Sequence, residues 1–361
     1  MRAYVVSTED ILSNLVEIRK KADSATVIAV LKGDGYGLGL TTMAKLCRGA
    51  GIHHFAVTEV KDVRRLRLDG EEGDEILLLR PTRNPDEIRT LLDEDAIFTV
   101  ASQKDAVALS GVARDMGALA KVHLKIDTGM GRYGFLEEEL DEILSCYAYL
   151  DCLSICGIYT HFHSAFCNKK ATRLQAESFL RVVEGIREKG YNVGMVHACN
   201  SSALLRHPEY IFDAVRVGSA ILGRLNFRTN LKKVGVCQVS VDEIRWLPQG
   251  HTTGYGGAWK AKRSTRVAVL PVGWYHGYTT TYGDDVCRFR DSLRKVLSGI
   301  KEMVFPRKLY VTIRGEKCRV LGHVGMLHTV VDVTDKRVFE GDTATVEINP
   351  TRIRGMEIRF E

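Results

Sequence analysis

The stretch Thr26 to Gly39, TVIAVLKGDGYGLG, puts a lysine where chemistry can happen. Val27 to Leu31 is an unbroken apolar run rich in β-branched residues, which reads as a strand buried on both faces. Lys32 follows directly, and a glycine-rich turn carrying Tyr36 follows Lys32. A primary amine held against an apolar strand end is partly desolvated. Its pKa falls, and the neutral amine is free to condense with a carbonyl as a Schiff base. Taken alone, such a lysine more often reaches past the strand end into solvent.

The elements that would hold Lys32 follow from the rest of the chain. Its 361 residues carry a net charge of +6 and 45% apolar content, which suits a two-domain globular protein with a sizeable core. Basic and acidic residues interleave, so a nucleic-acid surface has no support, while a mild positive bias suits an anionic ligand. No apolar run approaches a membrane span. The start, MRAYVVSTED, lacks the pattern of a signal peptide. Nine scattered cysteines form no zinc pattern and read as free thiols in a reducing cytoplasm.

Short apolar strands and amphipathic helices alternate about eight times before residue 225. Examples are strands at Phe55–Val57, Ile76–Leu79, Ile97–Val100, Ala120–Ile126, Leu153–Tyr159, Val193–Val196 and Ala214–Val217, with helices at Asp86–Leu92, Lys104–Leu109 and Arg173–Lys189. This pattern predicts a parallel (β/α)₈ barrel, with an open doubly wound sheet as the alternative. After about Asn230 the texture changes to strands separated by turns, a mostly antiparallel β domain. Residues 7–230 are thus expected to form the barrel and 231–361 the β domain, with residues 1–6 a candidate addition to the second. Helical spacing of Val286, Phe289, Leu293, Val296, Leu297 and Ile300 predicts a helical insertion near 284–307.

The Lys32 string, a lysine, three small or polar residues, then Tyr36-Gly37, resembles the lysine motif of the alanine racemase family. These are fold-type III enzymes that use pyridoxal 5′-phosphate (PLP). The resemblance extends over most of the chain and is most specific in LKIDTGMGRYGF, Leu124 to Phe135. It implies that Lys32 bears PLP and that Arg132 receives the substrate carboxylate, for which a guanidinium offers a planar fork. It also implies that Lys125 steadies Arg132, often as a carbamate. A protonated Lys125 would repel the arginine and a carbamylated one would attract it.

Further strings match the family's cofactor contacts. Thr160-His161-Phe162 supplies a histidine that packs on the pyridine ring, although a lone histidine can equally be a satisfied core residue. His197-Ala198-Cys199-Asn200-Ser201 matches a His-x-x-Asn-Ser string. Ser201 opens a short helix, so it could face a phosphate or serve as an ordinary N-cap. Gly218 and Ser219 lend backbone N–H groups to the phosphate together with Tyr36, and Arg216 meets the pyridine nitrogen. An arginine keeps its proton, so the ring stays a weaker electron sink, which argues for racemisation over decarboxylation. In the second domain, Tyr255 matches the second proton handler, presented from the partner in a head-to-tail homodimer. Tyr275 lies in the place of a Gly-Tyr-x-Asp-Gly string, and Met326 could offer its backbone N–H to the substrate carboxylate.

The resemblance therefore implies a cytoplasmic PLP-dependent racemase of a small amino acid, alanine first, with no metal, nucleic acid or membrane partner. Two departures bear on the substrate. Leu327 stands where relatives have an aspartate, and the tail from Asn349 shows no equivalent of their phosphate-contacting tyrosine. Serine or a broader set is thus the alternative. A PLP decarboxylase or aldolase, or a non-catalytic PLP-binding protein, stands further off.

Overall fold

The computed structural model describes residues 2–70, 73–280, 289–304 and 308–361. The chain divides into two compact units: Thr8–Val234, and Met1–Ser7 with Gly235–Glu361. The first strand, β1 (Arg2–Val6), belongs to the second unit.

Eight parallel strands form the first unit. They are β2 (Thr26–Val30), β3 (His54–Val57), β4 (Glu75–Leu78), β5 (Phe98–Val100), β6 (Ala120–Lys125), β7 (Leu153–Tyr159), β8 (Met195–Asn200) and β9 (Ala214–Val217). The pairing order is β4-β3-β2-β9-β8-β7-β6-β5, and a parallel bridge between Leu77 and Ile97 joins the two ends into a barrel. Helices connect the strands, as right-handed parallel crossovers require. Their starts are capped by short polar side chains. Asn84 accepts from the backbone of Asp86 and Glu87, Ser102 from Asp105, and Asn168 from Ala171. The last of these helices, Lys169–Glu188, buries Phe179, Val182, Val183 and Ile186 along one face.

Inside the barrel, one side is closed by apolar contacts among Ile28, Val30, Ala56, Leu77, Ile97 and Ala214. The other side is polar: His123, Lys125, His197 and Arg216 are each at most 4% exposed. A cluster of ionisable groups at that depth is costly unless hydrogen-bonded or matched by a ligand's charge.

Several bounds differ from those expected. The expected strand Val193–Val196 lies instead at Met195–Asn200, because the polar-looking string HACN is the strand's inward and bonded portion. The helix expected at Lys104–Leu109 runs from Gln103 to Asp115, since Ser110-Gly111 is tolerated inside it.

The second unit is a nine-stranded sheet. Its strands are β10 (Val236–Ser240), β11 (Glu243–Leu247), β14 (Thr265–Leu270), β15 (Tyr310–Ile313), β16 (Glu316–Val320), β17 (Thr329–Asp332), β18 (Thr343–Val346) and β19 (Glu357–Phe360), with β1. The order is β11-β14-β17-β16-β15-β18-β10-β1-β19, antiparallel except for β1 beside β19. A separate hairpin pairs β12 (Thr252–Thr253) with β13 (Trp259–Lys260). The insertion contains a helix, Phe289–Val304, with Leu293, Val296, Leu297 and Ile300 exposed. The rest of the expected insertion, including Val286, lies outside the described residues.

One ion pair ties a barrel helix to the start of β4. Arg48 Nε donates to Asp74 Oδ2 at 2.8 Å, with both side chains almost fully buried. Arg48 also donates to the carbonyl of Asp69 and lies over the ring of Phe55. Removing one partner strands the other charge, so Asp74→Ala is expected to lose about 3–5 kcal/mol of stability in urea denaturation, whereas an exposed pair such as Arg89–Asp86 should lose under about 1 kcal/mol.

Candidate active site

Lys32 stands at the end of β2, and the backbone after it turns the unusual way. Gly33, Asp34, Gly35, Tyr36 and Gly37 all have positive φ, between 53° and 86°. Together they make one left-handed helical turn, closed by Gly35 N–H to Leu31 O at 3.0 Å and Gly37 N–H to Gly33 O at 2.9 Å. Left-handed turns cost an L-residue roughly 1–2 kcal/mol, which explains three glycines in five positions. Asp34 accepts from Leu40 N–H and from Arg65, and these bonds hold the turn against that strain.

The turn brings Tyr36 against Gly218, which follows β9. A Cβ on Gly218 would lie 2.2 Å from the Tyr36 oxygen, so only glycine leaves the phenol room. Burial pushes the Tyr36 pKa up to about 12, which keeps it protonated and a hydrogen-bond donor. Ser201 Oγ accepts from the N–H groups of Gly218, at 3.1 Å, and Ala220, at 3.2 Å. Gly218 N–H is therefore already engaged. The helix Ser201–Arg206 is capped by Asn200, whose Oδ1 accepts from Ser202 and Ala203 N–H, so Ser201 is not the cap. Asn200 Nδ2 donates to Phe162 O at 2.9 Å.

Between these elements lies a cavity of about 430 Å³ at the carboxyl ends of the strands. Lys32, Tyr36, Lys125, Arg132, His161, Asn200, Ser201, Arg216, Gly218 and Ser219 all line it. So do Thr58, Leu79, Arg80, Tyr133 and Tyr159. Lys32, Arg80, Lys125, Arg132 and Arg216 are cations, and no carboxylate lines the cavity among the described residues. Such a site receives anions. Crowding by protein, and Arg132 second, lowers the Lys32 pKa. Burial, then Arg132 and Arg216, lowers Lys125 to about 8. Desolvation and the surrounding cations push His161 down to about 3, so it stays neutral.

His197 does not line the cavity. It is fully buried behind it, where Arg216 Nη1 meets its Nδ1 at 2.9 Å. Arg216 also donates to the carbonyls of Thr160, at 2.6 Å, His197 and Ala198, and it lies over the Tyr159 ring. Arg80, which sequence reasoning missed, donates to Glu87 through both terminal nitrogens. Its signal was present: ILLLR repeats the apolar-strand-then-cation pattern of VIAVLK.

The loop bearing Arg132 is built on Asp127. That carboxylate accepts from the N–H groups of Gly129, Met130, Gly131 and Arg132 at 2.8–3.1 Å. Phe135 N–H to Lys125 O and Asp127 N–H to Phe135 O close the loop's ends.

In the second unit, Tyr275 N–H donates to Met326 O at 3.1 Å. Tyr255 is 78% exposed on a short turn between β12 and β13.

A (β/α)₈ barrel with a lysine and a glycine–serine cradle at the carboxyl ends of its strands has the layout of the barrel enzymes, whose sites lie at that face. A family model described as the alanine racemase N-terminal domain matches residues 6–225, and one described as the C-terminal domain matches 236–354. An alanine racemase of Desulforamulus reducens is 31% identical over 338 residues, covering 91% of this chain and 84% of that protein. One of Methanococcus maripaludis is 29% identical over 346 residues, covering 93% and 86%. Among solved structures, alanine racemase from D-cycloserine-producing Streptomyces lavendulae has a TM-score of 0.84 at 22% identity, covering 100% of this chain and 97% of that one. The chain belongs to the alanine racemase family. The family uses PLP, and its members are isomerases.

Burial pushes Asp127 up, but its four backbone bonds outweigh that and hold it below the usual carboxylate range. A lowered folded-state pKa contributes stability above the unfolded value of about 3.9, lost as pH falls through the folded value. Hydrogen exchange should therefore show residues 129–132 still protected at pH 4. In Asp127→Ala the same amides should lose protection at every pH.

Proposed function

We propose that this chain interconverts L- and D-alanine, using PLP held in the barrel cavity. The observation that carries the reading is Lys32, its pKa lowered, sharing one cation-lined cavity with a cradle of Tyr36, Ser201, Gly218 and Ser219. The residues fit the cofactor. The cradle suits a phosphate, Lys32 suits the aldehyde carbon, His161 would pack on the ring, and Arg216 would meet the ring nitrogen. Asn200 acts by capping the cradle helix, and His197 acts from behind Arg216. When bound, PLP withdraws electrons from the substrate Cα and so acidifies the hydrogen there.

Arg132 would receive the substrate carboxylate, and a second copy would bring the backbone N–H of Met326, with Tyr275 beside it, to the same end. A neutral Lys32 amine would take or return a proton on one face of Cα. Tyr255 would serve the other face, supplied by a second copy in a head-to-tail homodimer with two composite sites. Its exposure on a turn agrees with a residue offered outward. Lys125, lowered to about 8, holds enough neutral amine near pH 7 to react with carbon dioxide, which supports carbamylation. Described cysteines that are free thiols agree with a cytoplasmic enzyme.

The second reading is a serine or broad-specificity racemase, which Leu327 in place of an acidic residue favours. A panel of L- and D-amino acids separates the two; faster turnover of serine than alanine would overturn the first. Release of carbon dioxide or an aldehyde would indicate a decarboxylase or aldolase. Deuterium from solvent should enter Cα of L-alanine. No exchange with any amino acid would leave a PLP-binding protein.

Two further outcomes are expected. Gly218→Ala should weaken PLP affinity at least tenfold in equilibrium titration by displacing Tyr36, while Gly111→Ala, in open space, should not. Lys32→Ala and Tyr255→Phe should each lower activity by about 10²–10⁴. Mixed and refolded together, they should regain activity, because a mixed dimer holds one intact site. Mixed dimers without activity would show that both residues act within one chain.

A further inference from the structure

Behind the cavity, the polar side of the barrel contains a short chain of hydrogen bonds. Arg216 Nη1 meets His197 Nδ1 at 2.9 Å, and His197 Nε2 meets His123 Nδ1 at 2.9 Å. His197 is 0% exposed and His123 3%. A guanidinium can only donate, so His197 Nδ1 must accept. Burial and the nearby Arg216 keep both imidazoles neutral, so the single hydrogen of His197 sits on Nε2. That hydrogen is donated to His123 Nδ1, which leaves the hydrogen of His123 on its own Nε2. In the opposite tautomer of His197, two N–H groups would face each other across 2.9 Å.

The backbone makes room for this arrangement. Pairing of β6 with β7 slips between Val122 and His123, which sets Gly157 opposite His123. A Cβ on Gly157 would lie 2.5 Å from His123 Cδ2 and Nε2. Pairing of β8 with β9 also slips, between His197 and Asn200. Such irregularities re-aim side chains. The ring of Tyr159 stacks on His197 with centroids 4.9 Å apart, and its hydroxyl pairs with Thr99, which fixes the imidazole plane.

We propose that His123 is a positioning residue for Arg216: by accepting the Nε2 hydrogen that Arg216 imposes on His197, it anchors that imidazole from behind and so keeps the guanidinium aimed into the cavity. His123 also lines a second cavity of about 310 Å³, with His54, Glu75 and Lys121. The inference rests on the proposed function only for its spectral readout; the tautomer can be measured without cofactor.

The test is nitrogen NMR of the full chain with labelled histidine. In the unsubstituted protein His197 should carry hydrogen on Nε2 and none on Nδ1. His123→Leu removes the acceptor, and its bulk discourages water from the second cavity from replacing it. His197 should keep its hydrogen on Nε2, because Arg216 still faces Nδ1, but its Nδ1 resonance should move as the bond to Arg216 loosens. His123→Asn places an amide oxygen near the position of Nδ1 and should return that resonance to its original position. With PLP loaded, the cofactor's absorption band should move in His123→Leu and return in His123→Asn. The kcat for alanine should fall about tenfold in the first, the scale of one hydrogen bond, with KM little changed.

Hydrogen on Nδ1 in the unsubstituted protein would overturn the proposal. So would a leucine variant in which neither the Nδ1 resonance nor the absorption band moves. If the leucine variant does not fold, the unsubstituted and asparagine proteins still decide the tautomer. A moved Nδ1 resonance with an unmoved band would support the role of His123 and count instead against Arg216 meeting the cofactor ring.

Discussion

The structure depends on a buried charge held by neutral groups. Arg216 is 4% exposed, and its four hydrogen bonds go to three carbonyls and one imidazole nitrogen. Taking an ion out of water costs several kcal/mol, and dipoles alone compensate for only part of that. An anion in the cavity would offset more of it. Lys125, 3% exposed, stands under the same constraint, and together with the exposed Arg132 it gives the cavity a lining that favours anions. Burial lowers Arg216 to about 10, and it stays a cation near neutral pH.

A second constraint is strain. The left-handed turn after Lys32 forces Asp34 and Tyr36 into backbone conformations that side chains disfavour. It persists because Asp34 is bonded from two directions and because Gly218 leaves space for the phenol. The amine and the Tyr36 phenol are therefore set by one backbone turn, against which the segments after β8 and β9 place Ser201, Gly218 and Ser219.

Much of this was legible in the residues. Lys32 was visible because an apolar run ended in a cation, and the glycines beside it marked a special turn. The barrel was visible in the alternation of strand and helix, and the second sheet in its turns. Other features left no local signal. Pairing of β1 with β10 and β19 joins residues hundreds of positions apart. His123 is one polar residue in an alternating strand, and only the register slip in β7 shows why it points at His197. Tyr159 and Arg80 sit at strand ends as Lys32 does, but without a glycine turn to mark them. The cap role of Asn200 was hidden because Ser201 beside it is an equally good cap residue.

The place of β1 has a consequence for biogenesis. Its antiparallel neighbour β10 and its parallel neighbour β19 leave the ribosome more than 230 and 350 residues later. At 5–20 residues per second that is an interval on the order of tens of seconds, during which a barrel can already form from continuous sequence. Meanwhile Ala3, Tyr4 and Val6, each 0% exposed in the finished protein, await their partners as an unpaired apolar segment. The nascent chain thus exposes an apolar segment from the synthesis of β1 until that of its last neighbour, β19.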